Sequence, residues 1–221
     1  MDDEAAPASP EQALVLFYAP AERRDALAAL LRLDATLAAI VRAARQPLVG
    51  QMRLTWWYEA LLALDAAPAP PHPVLRALQT DVLPTGVSGR ELAAMADGWE
   101  TLLDDGPLGL DRLSGYASGR GAQLFAVGGA VLGAAPADPL DAAGRGWALA
   151  DLARHVSDPD ESAAARNSAE KSLHTAFHTR WSRPARPLGA LALLARADLA
   201  GVPAGSPRRA ARLLRHRLTG R

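Results

Sequence analysis

The chain has 221 residues, a formal net charge of +0 and no cysteine. The absence of cysteine excludes disulfides and thiolate metal sites, and the balanced charge gives no general attraction to nucleic acid. No apolar stretch approaches the roughly 20 residues of a transmembrane helix, and the acidic opening 1–4 is untypical of a secretory signal. We therefore expect a cytoplasmic protein with no transmembrane segment and no nucleic-acid partner.

The composition favours an all-α fold. Hydrophobic residues make up 49% of the chain, yet only 5% is aromatic, and alanine supplies much of the remainder. Alanine has the highest intrinsic helix propensity and lets helices approach closely. No segment shows strand alternation or an internal repeat, so we expect a single-domain helical bundle, of a size that one core can hold.

Apolar periodicity and helix breakers predict the elements in chain order. An apolar segment starts at Leu14, and Pro20 can open the first long helix. The proline-rich stretch 66–73 is a loop, because successive prolines remove backbone donors. Ser88 and Glu91 form a capping-box pair that opens a further helix. The predicted helices cover residues 21–44, 49–64, 74–82, a segment from 89 through 102, 108–132, 140–156, 164–179, 188–199 and 208–218, with a break at 157–161.

Charge is distributed unevenly between the ends of the chain. We divide it into an acidic N-terminal tail at 1–12, a helical domain at 13–200 and a basic C-terminal helix or tail at 201–221. The last segment contains arginines and no acid. A solvated face, a contact with a membrane surface and a protein-docking role all suit such a pattern.

Residues 50–59 hold the densest concentration of large side chains in this aromatic-poor chain. On a helix, Arg53, Trp56 and Trp57 share one face, where a guanidinium can stack on indole. The simpler interpretation is that Trp57 is buried and Arg53 pairs with a carboxylate. The alternative is that this face contacts a ligand.

The histidines are weak candidates for metal ligands. His155 lies near Asp151 and Asp158, and a solvated helix C-terminus explains it, since the helix dipole favours histidine there. His174 and His178 have the i, i+4 spacing that can hold zinc, but no glutamate and no third ligand accompany them. We therefore predict no metal site at these residues.

Four segments, in order, resemble the squalene/phytoene synthase family. Residues 18–33 are similar to its first long helix, and residues 113–133 to its "L..Y....G" helix. Residues 47–57, PLVGQMRLTWW, resemble its RLxWW segment, and residues 72–78, HPVLRAL, its HPVxxAL segment. The resemblance implies the helical bundle of isoprenoid synthases. It also implies a reaction in which two aspartate-rich motifs hold Mg²⁺ against prenyl diphosphates, because bound Mg²⁺ neutralises the leaving group.

The first aspartate motif departs from the family pattern. Counting back from residues 53–57 places it at Ala38, Ala39 and Arg42, where no carboxylate remains. Asp34 is the only acid on this helix beyond Asp25, and one carboxylate cannot assemble a magnesium cluster.

The second motif falls on residues 149–159, LADLARHVSDP. His155 and Pro159 replace its two aspartates, and Asp158 and Asp160 are out of register. The sequence therefore predicts no catalytic residues, no metal site and no cofactor, although the resemblance implies Mg²⁺.

These departures favour a pseudoenzyme that binds an isoprenoid-like lipid or a protein partner. The pattern resembles the aspartate-depleted subgroup that includes the mitochondrial assembly factor of respiratory complex I, which implies an assembly role at the inner membrane. The alternative is an active prenyl transferase in which arginines bind the diphosphate, since guanidinium contacts phosphate bidentately. The candidate ligand-binding residues are Arg42, Arg53, Trp56, Tyr116, Arg120 and Arg154.

Overall fold

The computed structural model describes residues 10–104 and 106–221, and every regular element in these ranges is helical. The prediction of an all-α bundle is confirmed. Among these helices, none is both long and apolar enough to cross a bilayer. The α-helices are α1 Pro10–Tyr18, α2 Ala21–Ala43, α3 Pro47–Ala63, α4 Pro73–Ala77, α5 Gly89–Glu100, α6 Leu110–Tyr116, α7 Gln123–Leu132, α8 Leu140–His155, α9 Pro159–Ala176, α10 Arg186–Leu199 and α11 Pro207–Thr219.

Local capping explains where several helices begin. The Ser88 hydroxyl accepts from the Glu91 amide, and the Glu91 carboxylate accepts from the Ser88 amide at 2.8 Å, so the capping box at the start of α5 is confirmed. The predicted break at 157–161 is too long, because α9 begins at Pro159. Asp158 caps this helix, and Pro159 takes its first position, where no amide donor is needed.

Two of the predicted helices contain π-helical segments. The helix predicted at 74–82 consists of α4, a π segment Leu78–Val82 and a short 3₁₀ turn Leu83–Thr85. The helix predicted at 108–132 consists of α6, a π segment Ala117–Ala122 and α7. Such π segments occur often at functional sites, and the second one carries Arg120.

Glycines bring the second π segment into close contact with its neighbours. A Cβ placed on Gly98 of α5 would lie 2.2 Å from the carbonyl carbon of Gly119. A Cβ placed on Gly121 would lie 2.1 Å from the carbonyl oxygen of Gly144 on α8. Only glycine fits these positions without a backbone shift, so the segment that carries Arg120 is held tightly between α5 and α8.

The basic C-terminal segment forms α11, which packs on α10. Arg209, Leu213 and His216 of α11 are buried. His216 lies against the rings of Phe177 and Trp181. Burial lowers the pKa of His216 to about 4.

Candidate functional site

The centre of the bundle contains an arginine held by carboxylates from two helices. The Arg120 guanidinium donates from Nε and Nη2 to the two carboxylate oxygens of Asp34 on α2, both at 2.9 Å. Its Nη1 donates to Asp151 Oδ2 on α8 at 2.6 Å and to the Tyr116 hydroxyl. Arg120 is 4% exposed and Asp34 is 5% exposed. This is therefore a buried ion-pair network with a bidentate contact at its core.

Two indole rings enclose the same guanidinium. The Arg120 Cζ atom lies 4.2 Å from the ring centroid of Trp99 on α5 and 4.5 Å from that of Trp147 on α8. Tyr116 packs edge-on against Trp99, with 5.8 Å between ring centroids. Stacking on aromatic faces stabilises a desolvated cation, so the rings and the carboxylates fix Arg120 in one position.

The charges in this network reinforce each other. Burial alone would lower the pKa of the Arg120 guanidinium. The interactions with Asp34, Tyr116 and Asp151 outweigh burial, so the pKa of Arg120 is raised. Burial would raise the pKa of Asp151, but Arg120 reverses this and lowers it. Burial also raises the pKa of Tyr116, which keeps its hydroxyl protonated. At neutral pH Arg120 and Asp151 are thus charged and the Tyr116 phenol is neutral.

A groove of about 400 Å³ opens beside this network. Asp34, Arg120 and Asp151 line its polar side. Its apolar wall comes from α2, α8 and α10 and includes Leu31, Ala35, Ala38, Ala150, Leu191 and Ala195. The volume lies in the ordinary range of small-molecule sites, roughly 300–1,000 Å³, and the alanines leave the groove open where larger side chains would fill it.

Ion pairs between distant parts of the chain form one rim of the groove. Arg154 donates to Asp198 at 2.9 Å, and Asp198 also accepts from Arg209, which donates to Glu11 at 3.0 Å. Arg42 lines the groove too, is exposed and forms no ion pair within residues 10–104 and 106–221. An anionic group of a ligand would therefore find Arg42 unpaired.

The structure brings three of the sequence-predicted ligand-binding residues together. Arg42, Arg120 and Arg154 line the groove, and Tyr116 lies beneath it as a buried partner of Arg120. Arg53 does not line it.

The tryptophan pair of α3 lies elsewhere. Trp57 is buried at 3% exposure and Trp56 is 47% exposed, and neither lines the groove. The burial of Trp57 agrees with the interpretation that this side chain anchors the bundle.

The residues that replace the family's motif aspartates lie in different places. Ala38 faces the groove, whereas Ala39 does not. His155 lies at the end of α8, with Nδ1 2.8 Å from the Asp151 carbonyl oxygen. Pro159 is the first residue of α9.

The side chains in the groove do not fit a magnesium cluster. Four acids line the groove: Asp34 and Asp151 are bound to Arg120, and Glu11 and Asp198 are bound to Arg209. Across the described part of the chain, no group of three histidine, cysteine or acidic residues could hold a metal ion. His174 and His178 hydrogen-bond to each other at 2.9 Å instead of sharing a third ligand. No step of a reaction can be assigned to Mg²⁺ at these residues.

Sequence reasoning missed the partners of Arg120. The sequence shows Asp34 only as an isolated acid and gives no reason to place Trp99 and Trp147 beside a cation. A signal was present for Asp34, because Leu30, Leu33 and Leu37 surround it on an apolar helix. A buried carboxylate on such a face requires a cationic partner.

Comparisons with known proteins agree with this architecture. A family model described as squalene/phytoene synthase matches residues 5–168. A crystal structure of a dehydrosqualene synthase in complex with ligand is similar in structure, with a TM-score of 0.64 and 17% sequence identity, over 95% of this chain and 91% of that chain. A search of curated proteins finds no match. The structural likeness confirms the predicted isoprenoid-synthase type of bundle.

Proposed function

We propose that this chain, which belongs to the squalene/phytoene synthase family, binds an isoprenoid ligand in its groove and does not carry out magnesium-dependent condensation. The apolar wall of α2, α8 and α10 suits a prenyl chain, which is recognised by its hydrophobic surface. Arg42 and Arg154 suit an anionic end of such a ligand.

One observation carries this proposal: the acids facing each other across the groove are already occupied by an internal cation. Asp34 and Asp151 come from the two helices on which the family's aspartate motifs fall, and Arg120 lies between them at hydrogen-bond distance. A Mg²⁺ ion would have to displace this guanidinium from a buried, bidentate contact. Breaking such a contact leaves a buried charge uncompensated and costs several kcal/mol.

Calorimetric titration with a non-hydrolysable farnesyl diphosphate analogue, in EDTA and in Mg²⁺, tests the proposal. We expect binding of similar affinity under both conditions and no pyrophosphate release from authentic farnesyl diphosphate. Magnesium-dependent binding together with pyrophosphate release would contradict the proposal.

A variant pair locates the ligand. Arg42→Gln should weaken binding of the diphosphate analogue by roughly tenfold, on the scale of one charge-assisted contact, and should leave binding of farnesol unchanged. Arg32→Gln is the matched control, because Arg32 is an exposed arginine on the same helix that does not line the groove. Equal losses in both variants would exclude a specific contact with Arg42.

The second candidate is a prenyl transferase with an arginine-based diphosphate site. It is favoured by the convergence of Arg42, Arg120 and Arg154 on one groove. Its signature is pyrophosphate release that persists in EDTA and is lost in Arg42→Gln. The same assay therefore separates the two candidates.

A role in assembling respiratory complex I, with a protein partner at the inner membrane, is a separate proposal. It rests on the resemblance to an aspartate-depleted subgroup, and fold does not specify function. Co-purification of complex I subunits with the tagged chain from its native host is the corresponding test.

A further inference from the structure

The outward face of α11 carries an apolar stripe. Pro207, Ala211, Leu214 and Leu218 follow one another at intervals of four, three and four residues, which places them on a single helix face. Leu214 is 52% exposed and Leu218 is 68% exposed. With about 100° of rotation per residue, this stripe points away from the buried Arg209, Leu213 and His216. The outer face of α11 therefore exposes an apolar stripe, whereas its packing side buries Arg209 and His216 together with Leu213.

Arginine-lined grooves flank this stripe on both sides. One groove, of about 560 Å³, is lined by Tyr18, Arg183, Arg186 and Arg217 together with the two leucines. The other, of about 480 Å³, is lined by Arg196, Arg212, Arg215 and Arg221 beside Phe177 and Leu193. No acidic side chain lines either groove among the residues that the structure describes. The second groove is distinct from the central one, because Arg196 and Leu193 lie on the opposite face of α10 from Leu191 and Ala195.

These arginines differ from Arg154 and Arg209 at the rim of the central groove, which pair with acids. Within the described ranges, Arg196, Arg212 and Arg215 form no ion pair with a carboxylate, whereas Arg154 and Arg209 both bind Asp198. In the groove of about 560 Å³, burial and the neighbouring charges of Arg180 and Arg183 lower the pKa of Arg186. Like charges are therefore held together here, and an anionic partner would relieve their repulsion.

We propose that the outward face of α11 is a docking surface for an anionic lipid bilayer. Leu214 and Leu218 enter the headgroup region, and the arginines on both sides contact lipid phosphates. An apolar stripe between basic flanks matches the layering of an anionic membrane surface. A soluble phosphate compound would use the arginines but gain nothing from the exposed leucines, so the combination favours a bilayer.

Co-sedimentation of the full chain with vesicles tests this surface. We expect it to bind vesicles that contain phosphatidylglycerol, to remain in solution with pure phosphatidylcholine, and to be released by high salt. Arg212→Gln/Arg215→Gln should lower the partition coefficient by roughly tenfold or more, since each arginine near an anionic surface contributes several-fold. Leu214→Ser/Leu218→Ser should also reduce binding at unchanged charge.

Matched controls make the result specific to α11. Arg76→Gln/Arg90→Gln removes the same charge from exposed arginines outside both grooves, and Leu48→Ser/Leu110→Ser removes two equally exposed leucines elsewhere. All four variants change exposed side chains, and their melting temperatures should match that of the wild type.

Several outcomes would overturn the proposal. The wild type could fail to sediment with anionic vesicles. The α11 and control variants could lose vesicle binding to the same extent, or the leucine variant could bind as well as the wild type. Displacement of the chain from vesicles by soluble glycerol 3-phosphate would identify a free phosphate compound as the ligand. Salt-sensitive binding to polyglutamate that depends on the same leucines would point to an acidic protein.

Discussion

Removing the bidentate partner of Arg120 should destabilise the protein more than any exposed ion pair can. In Asp34→Ala, the Arg120 guanidinium loses two hydrogen bonds of 2.9 Å and keeps Asp151 and Tyr116. The side chains of Arg120 and Asp34 are only 5% and 8% exposed, so the pair is largely shielded from water. Leaving a buried charge without its main partner costs about 3–5 kcal/mol. Urea unfolding at neutral pH, followed by circular dichroism, measures this loss.

Two further variants test whether the loss of stability comes from the unpaired Arg120 charge or from replacing any aspartate. Asp141→Ala removes the carboxylate of the exposed Asp141–Arg145 pair on α8 and should cost less than about 0.5 kcal/mol. Asp34→Leu/Arg120→Met removes the buried ion pair and leaves only Asp151, whose side chain is 31% exposed and lines the groove, so it should cost less than Asp34→Ala alone. A loss below about 1 kcal/mol in Asp34→Ala, or a larger loss in the double variant, would refute the reasoning.

Two predictions concern other parts of the fold. Because the folded-state pKa of His216 is about 4, below its ordinary value near 6.5, the unfolded chain binds the proton first as pH falls. Stability should therefore be complete above pH 6.5 and drop by about 3 kcal/mol towards pH 4, and His216→Gln should remove this part of the pH dependence in urea titrations. Gly121→Ala should cost about 1–3 kcal/mol, because its Cβ meets the Gly144 backbone. Gly115→Ala, where nothing lies within 4 Å, should be neutral or stabilising in the same thermal melts.

The sequence was sufficient for the helical architecture because local signals determine it. The capping box at Ser88 fixes a helix start through side-chain hydrogen bonds to nearby amides, and the proline at position 20 does so through its fixed φ angle. The π segment at Ala117–Ala122 was not predictable in this way, since an extra residue in a helical turn leaves the apolar pattern nearly unchanged. The sequence pattern predicts Pro159 as part of a break, although proline also suits the first position of a helix.

The candidate site was only half predictable. Motif register placed Arg42 and Arg154 near the groove, because counting along a helix preserves the face on which a residue lies. The pairing of Arg120 with Asp34 joins residues 86 positions apart in the chain. It depends on the close approach of α5, the π segment and α8, which no local pattern encodes. Without an approximate three-dimensional arrangement, Asp34 could be recognised only as a buried acid in need of a partner.

The contact between Glu11 and Arg209 has a consequence for synthesis of the chain on the ribosome. These residues are 198 positions apart, and both line the central groove. Domains fold as the chain emerges, so α1 and α2 are exposed to solvent long before Arg209 has left the exit tunnel. The groove therefore cannot close around a ligand during most of translation. A nascent chain arrested before residue 209 should expose the apolar wall of the groove, and chaperones that recognise exposed apolar surface should bind it.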